Sequence, residues 1–263
     1  MARYNVRARR SGTRPKSLAL RTMRPSITHL KRSLLPPGKR VRPLAAGIGR
    51  GIRMEIDFAF QTRMFFGLYE VELNRHLRRL CPPGASSFDV GGGHGYHALV
   101  MARLSGGITL SFDCEARVCE EARRNVRANP ELCSLVQVRH AFVAPVTDET
   151  QHPPRLALDD VAFGDGGFVP DLIKIDIEGG ELDALRGARR ILAEGRPALI
   201  VETHSRSLEG GCRALLESYG YLVEVVEQRS WMADFRPIEH NRWLVATSRP
   251  DSSSSWGSEL TTL

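Results

Sequence analysis

The sequence predicts an α/β protein with a seven-stranded, mostly parallel sheet, one antiparallel strand and helices on both faces. From residue 86 to residue 220, short apolar runs alternate with amphipathic stretches, which is typical of βαβ units. Two apolar strands at 221–227 and 242–247 follow without a helix between them. A pair of this kind adds an antiparallel strand at one edge of the sheet.

The element boundaries follow from periodicity and from helix-breaking residues. Residues 52–58 alternate apolar and charged side chains, which predicts a half-buried strand, and the apolar spacing over 61–80 predicts a helix. In the alternating region we predict strands at 86–90, 108–113, 135–143, 171–177 and 198–203, and helices at 96–104, 115–128, 181–192 and 207–219. Prolines and glycines over 144–170 predict a long loop.

The positive charge of the chain is concentrated near its N-terminus. Residues 1–53 contain 15 lysines and arginines and no acid, which leaves 22 of the 37 basic residues and all 30 acids for the rest. We therefore predict a basic, disordered arm (1–38), a strand and a helix (39–85), the main domain (86–248) and a Ser-rich tail (249–263). A solvated tail is the favoured interpretation of the arm. Contact of residues 1–53 with nucleic acid or another anionic surface, and a transit peptide, are alternatives.

Cysteine usage and hydropathy indicate a cytoplasmic protein. The five cysteines are odd in number and form no C-x-x-C pair, which favours reduced thiols over disulfides or a zinc site. No apolar run is long enough to span a bilayer, and no signal peptide is evident.

A glycine-rich turn between a strand and a helix predicts a cofactor site. Asp89, Gly91, Gly92, Gly93 and Gly95 fit the D-x-G-x-G-x-G loop of S-adenosylmethionine-dependent methyltransferases, and residues 93–98 also fit a dinucleotide-binding loop. The next strand ends in Asp113, where an acid can bind both ribose hydroxyls of an adenosine cofactor. Asp89 suits the ammonium group of a methionine tail.

The stretch DLIKIDIEGGE (171–181) places Lys174, Asp176 and Glu178 on one face of a predicted core strand. Buried charges are costly unless they are paired or used, so we interpret this row as the lining of an active site. Glu202 and His204 end the following strand. These side chains predict a group that acts in acid/base catalysis. A divalent-metal site is the lower-ranked alternative, because nothing in the sequence fixes the ligand geometry, so no metal is assigned.

Four segments resemble the FkbM family of S-adenosylmethionine-dependent methyltransferases: DVGGGHGY (89–96), DLIKIDIEGGE with LRGA (185–188), PALIVETH (197–204) and HNRWLVA (240–246). The family often has Ala-Asn at positions 92 and 93, and a Glu-Pro pair in place of Asp113-Cys114. The resemblance covers residues 86–248. It implies a class I methyltransferase fold and methyl transfer, usually to a hydroxyl oxygen of a sugar, polyketide or similar metabolite.

These observations lead to the hypothesis of an S-adenosylmethionine-dependent O-methyltransferase acting on a small hydroxylated acceptor. Asp176 or Glu178 is the first candidate for the base, His204 is the second, and Lys174 holds the carboxylates in place. One alternative is an NAD(P)-dependent oxidoreductase that uses the 93–98 loop. Another is an RNA-associated methyltransferase or binding protein that uses the basic arm.

Overall fold

The computed structural model describes residues 38–229 and 240–248. Residues 1–37 of the predicted arm and the predicted tail lie outside the described residues. The strands are β1 (Arg40–Pro43), β2 (Arg53–Ile56), β3 (Ser87–Val90), β4 (Thr109–Asp113), β5 (Val136–His140), β6 (Phe142–Val143), β7 (Arg155–Leu156), β8 (Leu172–Ile175), β9 (Ala198–Thr203), β10 (Tyr221–Val226) and β11 (Arg242–Ser248). The α-helices are α1 (Thr62–Phe65), α2 (Asn74–Leu80), α3 (Tyr96–Ser105), α4 (Ala116–Arg127), α5 (Leu158–Phe163), α6 (Glu181–Arg186) and α7 (Arg206–Ser218). Within the described ranges, no helix combines the length and the apolar character that crossing a membrane requires.

The central sheet has seven strands in the order β10-β11-β9-β8-β3-β4-β5. Strands β9, β8, β3, β4 and β5 are parallel, whereas β11 is antiparallel to both β9 and β10. The predicted seven-stranded sheet with one reversed strand is therefore confirmed. Because β4, β3, β8 and β9 are parallel neighbours, their carboxyl ends meet at one edge, where open α/β sheets bind ligands.

Apolar side chains cover both faces of the sheet. Successive residues of a strand point to opposite faces, so Leu172 and Ile200 pack in one core cluster while Ile173 and Leu199 pack in the other. All four side chains are fully buried. This burial on two sides explains the continuous apolar runs in the sequence, and it makes the charged side chain of Lys174, which lies inside β8, an exception.

The segment before β3 packs on the same core. Strands β1 and β2 form an antiparallel hairpin, in which Met54 is fully buried. Two asparagines of the α4 region hold β2 in place. The Oδ1 atom of Asn125 accepts a hydrogen bond from the Glu55 N–H at 2.7 Å, and Oδ1 of Asn129 accepts one from the Arg53 N–H at 2.8 Å. These side chains satisfy backbone donors of a strand edge that has no neighbouring strand there.

The prediction of one continuous helix over 61–80 is wrong, because irregular backbone separates α1 from α2. Gly67 has a φ of +68°, and a Cβ atom there would lie 2.5 Å from the backbone of Gly47. Glu70 has left-handed dihedral angles, with a φ of 42° and a ψ of 43°. The close approach of the two glycines and the turn at Glu70 redirect the chain, so that residues 68–70 line a cavity at the sheet edge.

Three other boundaries differ from the predictions. Strand β8 ends at Ile175 rather than at residue 177. The helix predicted at 181–192 ends at Arg186 and is followed by a π-helical turn, Ile191–Gly195. The loop predicted at 144–170 contains β7 and α5. Of these, the early end of β8 matters most for the site, because Asp176 and Glu178 then lie in a turn.

Candidate functional site

The carboxyl end of β3 leads into a turn of glycines before α3. A Cβ atom at Gly91, where φ is +79°, would lie 1.9 Å from the Asp176 carbonyl oxygen, and one at Gly92 would lie 1.9 Å from the Ser111 hydroxyl. Position 93 differs, since φ is +53° and no heavy atom lies within 4 Å of its Cβ position. Packing inside the protein therefore requires glycine at 91 and 92, whereas Gly93 borders open space. Gly95 immediately precedes α3.

Asp89 lies beneath this turn and is fully buried. Its Oδ2 atom is 3.0 Å from the position of a Cβ at Gly92. Burial raises the pKa of Asp89 to about 6, although the ammonium group of Lys174 and the backbone N–H of Ala98 oppose the shift. A buried carboxylate is costly to keep charged, so the protein is stabilised when Asp89 is protonated.

We expect this raised pKa to make the ligand-free protein less stable as the pH rises. The ordinary pKa of Asp89 is 3.8, so the stabilising contribution is complete below about pH 4 and is lost as the pH rises through about 6. An Asp89→Asn variant has no carboxyl group at this position, so its stability should not fall with pH for this reason. The free energy of unfolding of the variant minus that of the wild type should be larger at pH 8 than at pH 4, by up to about 3 kcal/mol. Urea denaturation at pH 4, 6 and 8 measures this, and a difference independent of pH contradicts the raised pKa.

Asp113 ends β4 and faces the glycine turn. Its Oδ2 atom accepts a hydrogen bond from the Gly93 N–H at 3.1 Å, and Oδ1 accepts one from the Glu115 N–H at 2.9 Å. The first bond ties the glycine turn to β4, and the second bond holds the start of α4. Asp113 also lines the cavity that opens above the turn.

Lys174 is a buried cation surrounded by acid groups. Its Nζ atom lies 3.3 Å from Asp176 Oδ2. Burial alone would lower the pKa of Lys174, but the charges of Asp176, Glu70, Asp89 and Glu202 outweigh burial and raise it. Lys174 therefore stays charged at neutral pH, and its single positive charge interacts with all four acids.

Glu70 is one of these acids, and the sequence did not point to it. Burial raises its pKa to about 8, although Lys174 opposes the shift. Its Oε2 atom lies 3.4 Å from Nε2 of the buried His97 but accepts no hydrogen bond from the described residues. Burial, followed by the charge of Lys174, lowers the pKa of His97 well below its usual range. The site thus holds more acid than its cations balance.

His204 joins the ends of β8 and β9. Its Nδ1 atom lies 2.6 Å from Oε1 of Glu181, the fully buried first residue of α6. Its Nε2 atom lies 3.6 Å from Asp176 Oδ1 and 3.7 Å from Glu202 Oε1. The hydrogen bond to Glu181 is the main cause that raises the pKa of His204.

Glu202 is buried beside His204 and is held from its other side by an indole. Trp243 donates a hydrogen bond from Nε1 to Glu202 Oε2 at 3.0 Å. Burial, reinforced by the charge of Asp176, raises the pKa of Glu202. Asp176, Glu202 and His204 therefore form a compact group of proton acceptors at the sheet edge.

Two cavities border this group: Asp176 lines the first and Glu202 the second, whereas His204, which contacts both acids, lines neither. The first, of about 370 Å³, is lined by the glycine turn together with Asp113, Lys174 and Asp176. The second, of about 380 Å³, is lined by Glu70, Glu202, Trp243 and residues of the segment before β3. Met64, Tyr69 and His94 line both cavities. The acid group thus extends from one cavity to the other.

The sequence of this region matches a known family. Residues 133–223 match the family model of the methyltransferase FkbM domain. The resemblance to the FkbM family is confirmed. The matched FkbM segment contains Lys174, Asp176, Glu202 and His204, whereas the glycine turn and Asp113 lie before it.

The fold is similar to that of a solved methyltransferase structure. The chain is similar to the methyltransferase FkbM from Methylobacillus flagellatus KT, with 17% sequence identity and a TM-score of 0.52 over 62% of this chain and 43% of that chain. It thus spans less than half of that protein. It is also similar to an S-adenosylmethionine-dependent O-methyltransferase from Thermotoga maritima, with 15% identity and a TM-score of 0.49 over 68% of this chain and 65% of that chain. A third similar structure is a precorrin-6y C5,15-methyltransferase from Geobacter metallireducens GS-15, with 17% identity and a TM-score of 0.48 over 69% of this chain and 88% of that chain. The sheet is that of the class I methyltransferases. Comparison with curated proteins gave no match.

The structure brings most of the predicted site residues together, with one correction. Lys174, Asp176, Glu202 and His204 are neighbours, but Glu178 does not continue their row. Strand β8 has ended by then, and Glu178 lies in an exposed turn. Gly179, with a φ of +105°, bends the chain there. Glu178 still lines the first cavity.

Two buried acids of the site were missed from the sequence. The sequence predicts Glu181 as the first residue of a helix, and only its contact with His204 reveals its part in the site. Glu70 lay inside a predicted helix, so the turn that buries it gave no signal. Asp89, predicted to suit the ammonium group of a methionine tail, lies buried beneath the turn and does not line the first cavity.

Proposed function

We propose that this FkbM-type protein transfers a methyl group from S-adenosylmethionine (SAM) to a hydroxyl oxygen of a small metabolite or sugar. The observation that carries the proposal is the group of Asp176, Glu202 and His204, which extends from the first cavity to the second. A hydroxyl is a weak nucleophile until its proton is removed. Asp176 is the first candidate for that base, His204 is the second, and Lys174 orients Asp176.

The residues around the first cavity fit SAM. Asp113 lines the cavity, where its carboxylate could accept hydrogen bonds from ribose hydroxyls, and Gly93 leaves space for a ligand beside the backbone. The charge of Asp89 beneath the turn favours a cationic tail above it. When bound, SAM supplies an electrophilic methyl group on a positively charged sulfur.

Gly93→Ala is expected to weaken binding of S-adenosylhomocysteine (SAH) at least tenfold, because the new methyl group would stand in the space assigned to the cofactor. Gly84→Ala is a matched control, since Gly84 has a φ of +84°, has no neighbour within 4 Å and does not line the first cavity. Both variants should lose about 1–2 kcal/mol of stability from the left-handed backbone. Calorimetric titration with SAH separates them, and equal SAH affinity in both variants contradicts this place for the cofactor.

The second cavity suits a small acceptor. Its volume of about 380 Å³ is that of a metabolite pocket. Phe60, Tyr69 and Trp243 supply aromatic walls, and Gln228 and Arg229 supply polar groups. This mixture fits an acceptor with an apolar body and several hydroxyl or carbonyl groups.

Two measurements test the proposal. Calorimetric titration of the purified protein with SAH and with NAD distinguishes a methyltransferase from the oxidoreductase alternative, and binding of NAD in place of SAH overturns it. A panel of hydroxylated metabolites, incubated with SAM and assayed for SAH release, then identifies the acceptor. The product should carry a new methoxy group by NMR spectroscopy, and a new N-methyl or C-methyl group refutes O-methylation.

A further inference from the structure

Three side chains at the carboxyl ends of β8 and β9 bring polar atoms close together. Asp176, Glu202 and His204 each offer one ligand atom, and these atoms lie within 4.8 Å of one another. Nε2 of His204 lies 3.6 Å from Asp176 Oδ1 and 3.7 Å from Glu202 Oε1. Donors that share one divalent ion at about 2.0–2.2 Å are themselves about 3–3.7 Å apart, so the spacing fits a shared cation.

Each of these three side chains is anchored through its other polar atom. Lys174 contacts Asp176 Oδ2 at 3.3 Å, Trp243 donates to Glu202 Oε2 at 3.0 Å, and Glu181 lies 2.6 Å from His204 Nδ1. A set of ligands held in this way keeps its geometry without the ion. These contacts leave His204 Nε2 between the carboxylates of Asp176 and Glu202.

The contacts of His204 favour a cation over a hydrogen-bonded network. The carboxylate of Glu181 fixes a proton on Nδ1, which leaves Nε2 facing two carboxylate oxygens. The Nε2 atom is buried and has no hydrogen-bond partner among the described residues. Its distances of 3.6 and 3.7 Å to these oxygens are too long for N–H···O hydrogen bonds.

An independent observation is the excess of buried acid around these three side chains. The side chain of Glu70 is 9% exposed, and its Oε2 accepts no hydrogen bond from the described residues. Lys174 Nζ lies 3.3 Å from Asp176 Oδ2, and a further positive charge next to Asp176 and Glu202 would balance their two carboxylates.

We propose that Asp176, Glu202 and His204 bind one divalent first-row transition-metal ion at the carboxyl ends of β8 and β9. Two carboxylates and one imidazole suit Mn²⁺, Fe²⁺ or Zn²⁺ better than Ca²⁺ or Mg²⁺, which prefer oxygen ligands alone. An ion held there would lower the pKa of an acceptor hydroxyl that it coordinates, and Asp176 would then act as a ligand of the ion in place of a base. This role rests on the proposed function, but binding of the ion does not.

Mn²⁺ is the probe for the test, because the thiols of Cys114 and Cys133 are exposed and would compete for Zn²⁺. The full chain is freed of metal with a chelator and titrated with Mn²⁺, and the free ion is counted by electron paramagnetic resonance. We expect one Mn²⁺ per chain. His204→Gln should weaken binding at least tenfold, and Glu181→Gln about tenfold, because Glu181 only orients the histidine.

Asp183→Asn is the control, since Asp183 lies on the same helix as Glu181 and is exposed. It should bind Mn²⁺ as the wild type does. A rise in melting temperature with Mn²⁺ that His204→Gln loses provides a second readout for folded variants. No stoichiometric binding, or equal binding by the wild type and His204→Gln, overturns the site. SAH titration of the metal-free protein tests the proposed function separately, so either proposal can fail while the other stands.

Discussion

Asp176→Asn is expected to lower kcat for methyl transfer at least 100-fold while SAH affinity changes by less than about tenfold. Positioned proton acceptors contribute about 10²–10⁴-fold to rates, and Asp176 is the acid that both lines the first cavity and contacts the His204 group. Asparagine keeps the size of the side chain but neither accepts a proton nor carries a charge. The measurement is SAH release with the acceptor found in the metabolite panel.

Two further variants sharpen this result. Asp183→Asn, in the exposed part of α6, should keep the wild-type rate. Glu178→Gln should lose less than about tenfold, because the exposed turn leaves Glu178 in water, where a carboxylate is a less effective base. A wild-type rate in Asp176→Asn would remove Asp176 from the proposed chemistry. A larger loss of rate in Glu178→Gln than in Asp176→Asn would make Glu178, rather than Asp176, the first candidate for the base.

Lys174→Met is expected to lower the free energy of unfolding at pH 8 by about 3–5 kcal/mol, because removal of one partner leaves buried charges without compensation. Lys174 is 1% exposed, and the charges of Asp176, Glu70, Asp89 and Glu202 act on it. Methionine fills a similar volume, so loss of charge rather than of packing should dominate. Urea denaturation monitored by circular dichroism gives the value.

The double variant Lys174→Met/Asp89→Asn should recover part of this loss, since it removes one of the uncompensated acids. Lys39→Met is the control: Lys39 is paired with Glu121 but is 37% exposed, and such pairs contribute about 0–1 kcal/mol. A loss below about 1 kcal/mol in Lys174→Met, or no recovery in the double variant, would mean that Lys174 does not compensate the acids.

The sheet could be predicted because its strands carry a strong local signal. Strands β8 and β9 are apolar on both faces, and the two closing strands have no helix between them, so both the parallel body and the reversed strand follow from composition and order. The 171–181 stretch could be recognised as part of a site because a charged residue, Lys174, is unusual in an apolar strand.

The remaining features of the site depend on contacts between distant parts of the chain. The pair of Glu181 and His204 joins residues that are 23 positions apart, and no periodicity reports it. The turn at Glu70 follows from the contact between Gly47 and Gly67, which broke a helix that the apolar spacing favoured. The prediction that Glu178 shares a face with Lys174 and Asp176 assumes the side-chain alternation of a strand, and β8 ends before Glu178.

The hairpin and short helices before β3 have a consequence for engineering this protein. Leu44, Met54 and Leu77 complete one of the two core clusters, and Tyr69 borders both cavities. A truncated chain starting at residue 86 would uncover that apolar surface and remove a wall from each cavity. Shortened versions should therefore begin no later than Gly38, so that the hairpin and the residues lining both cavities are kept.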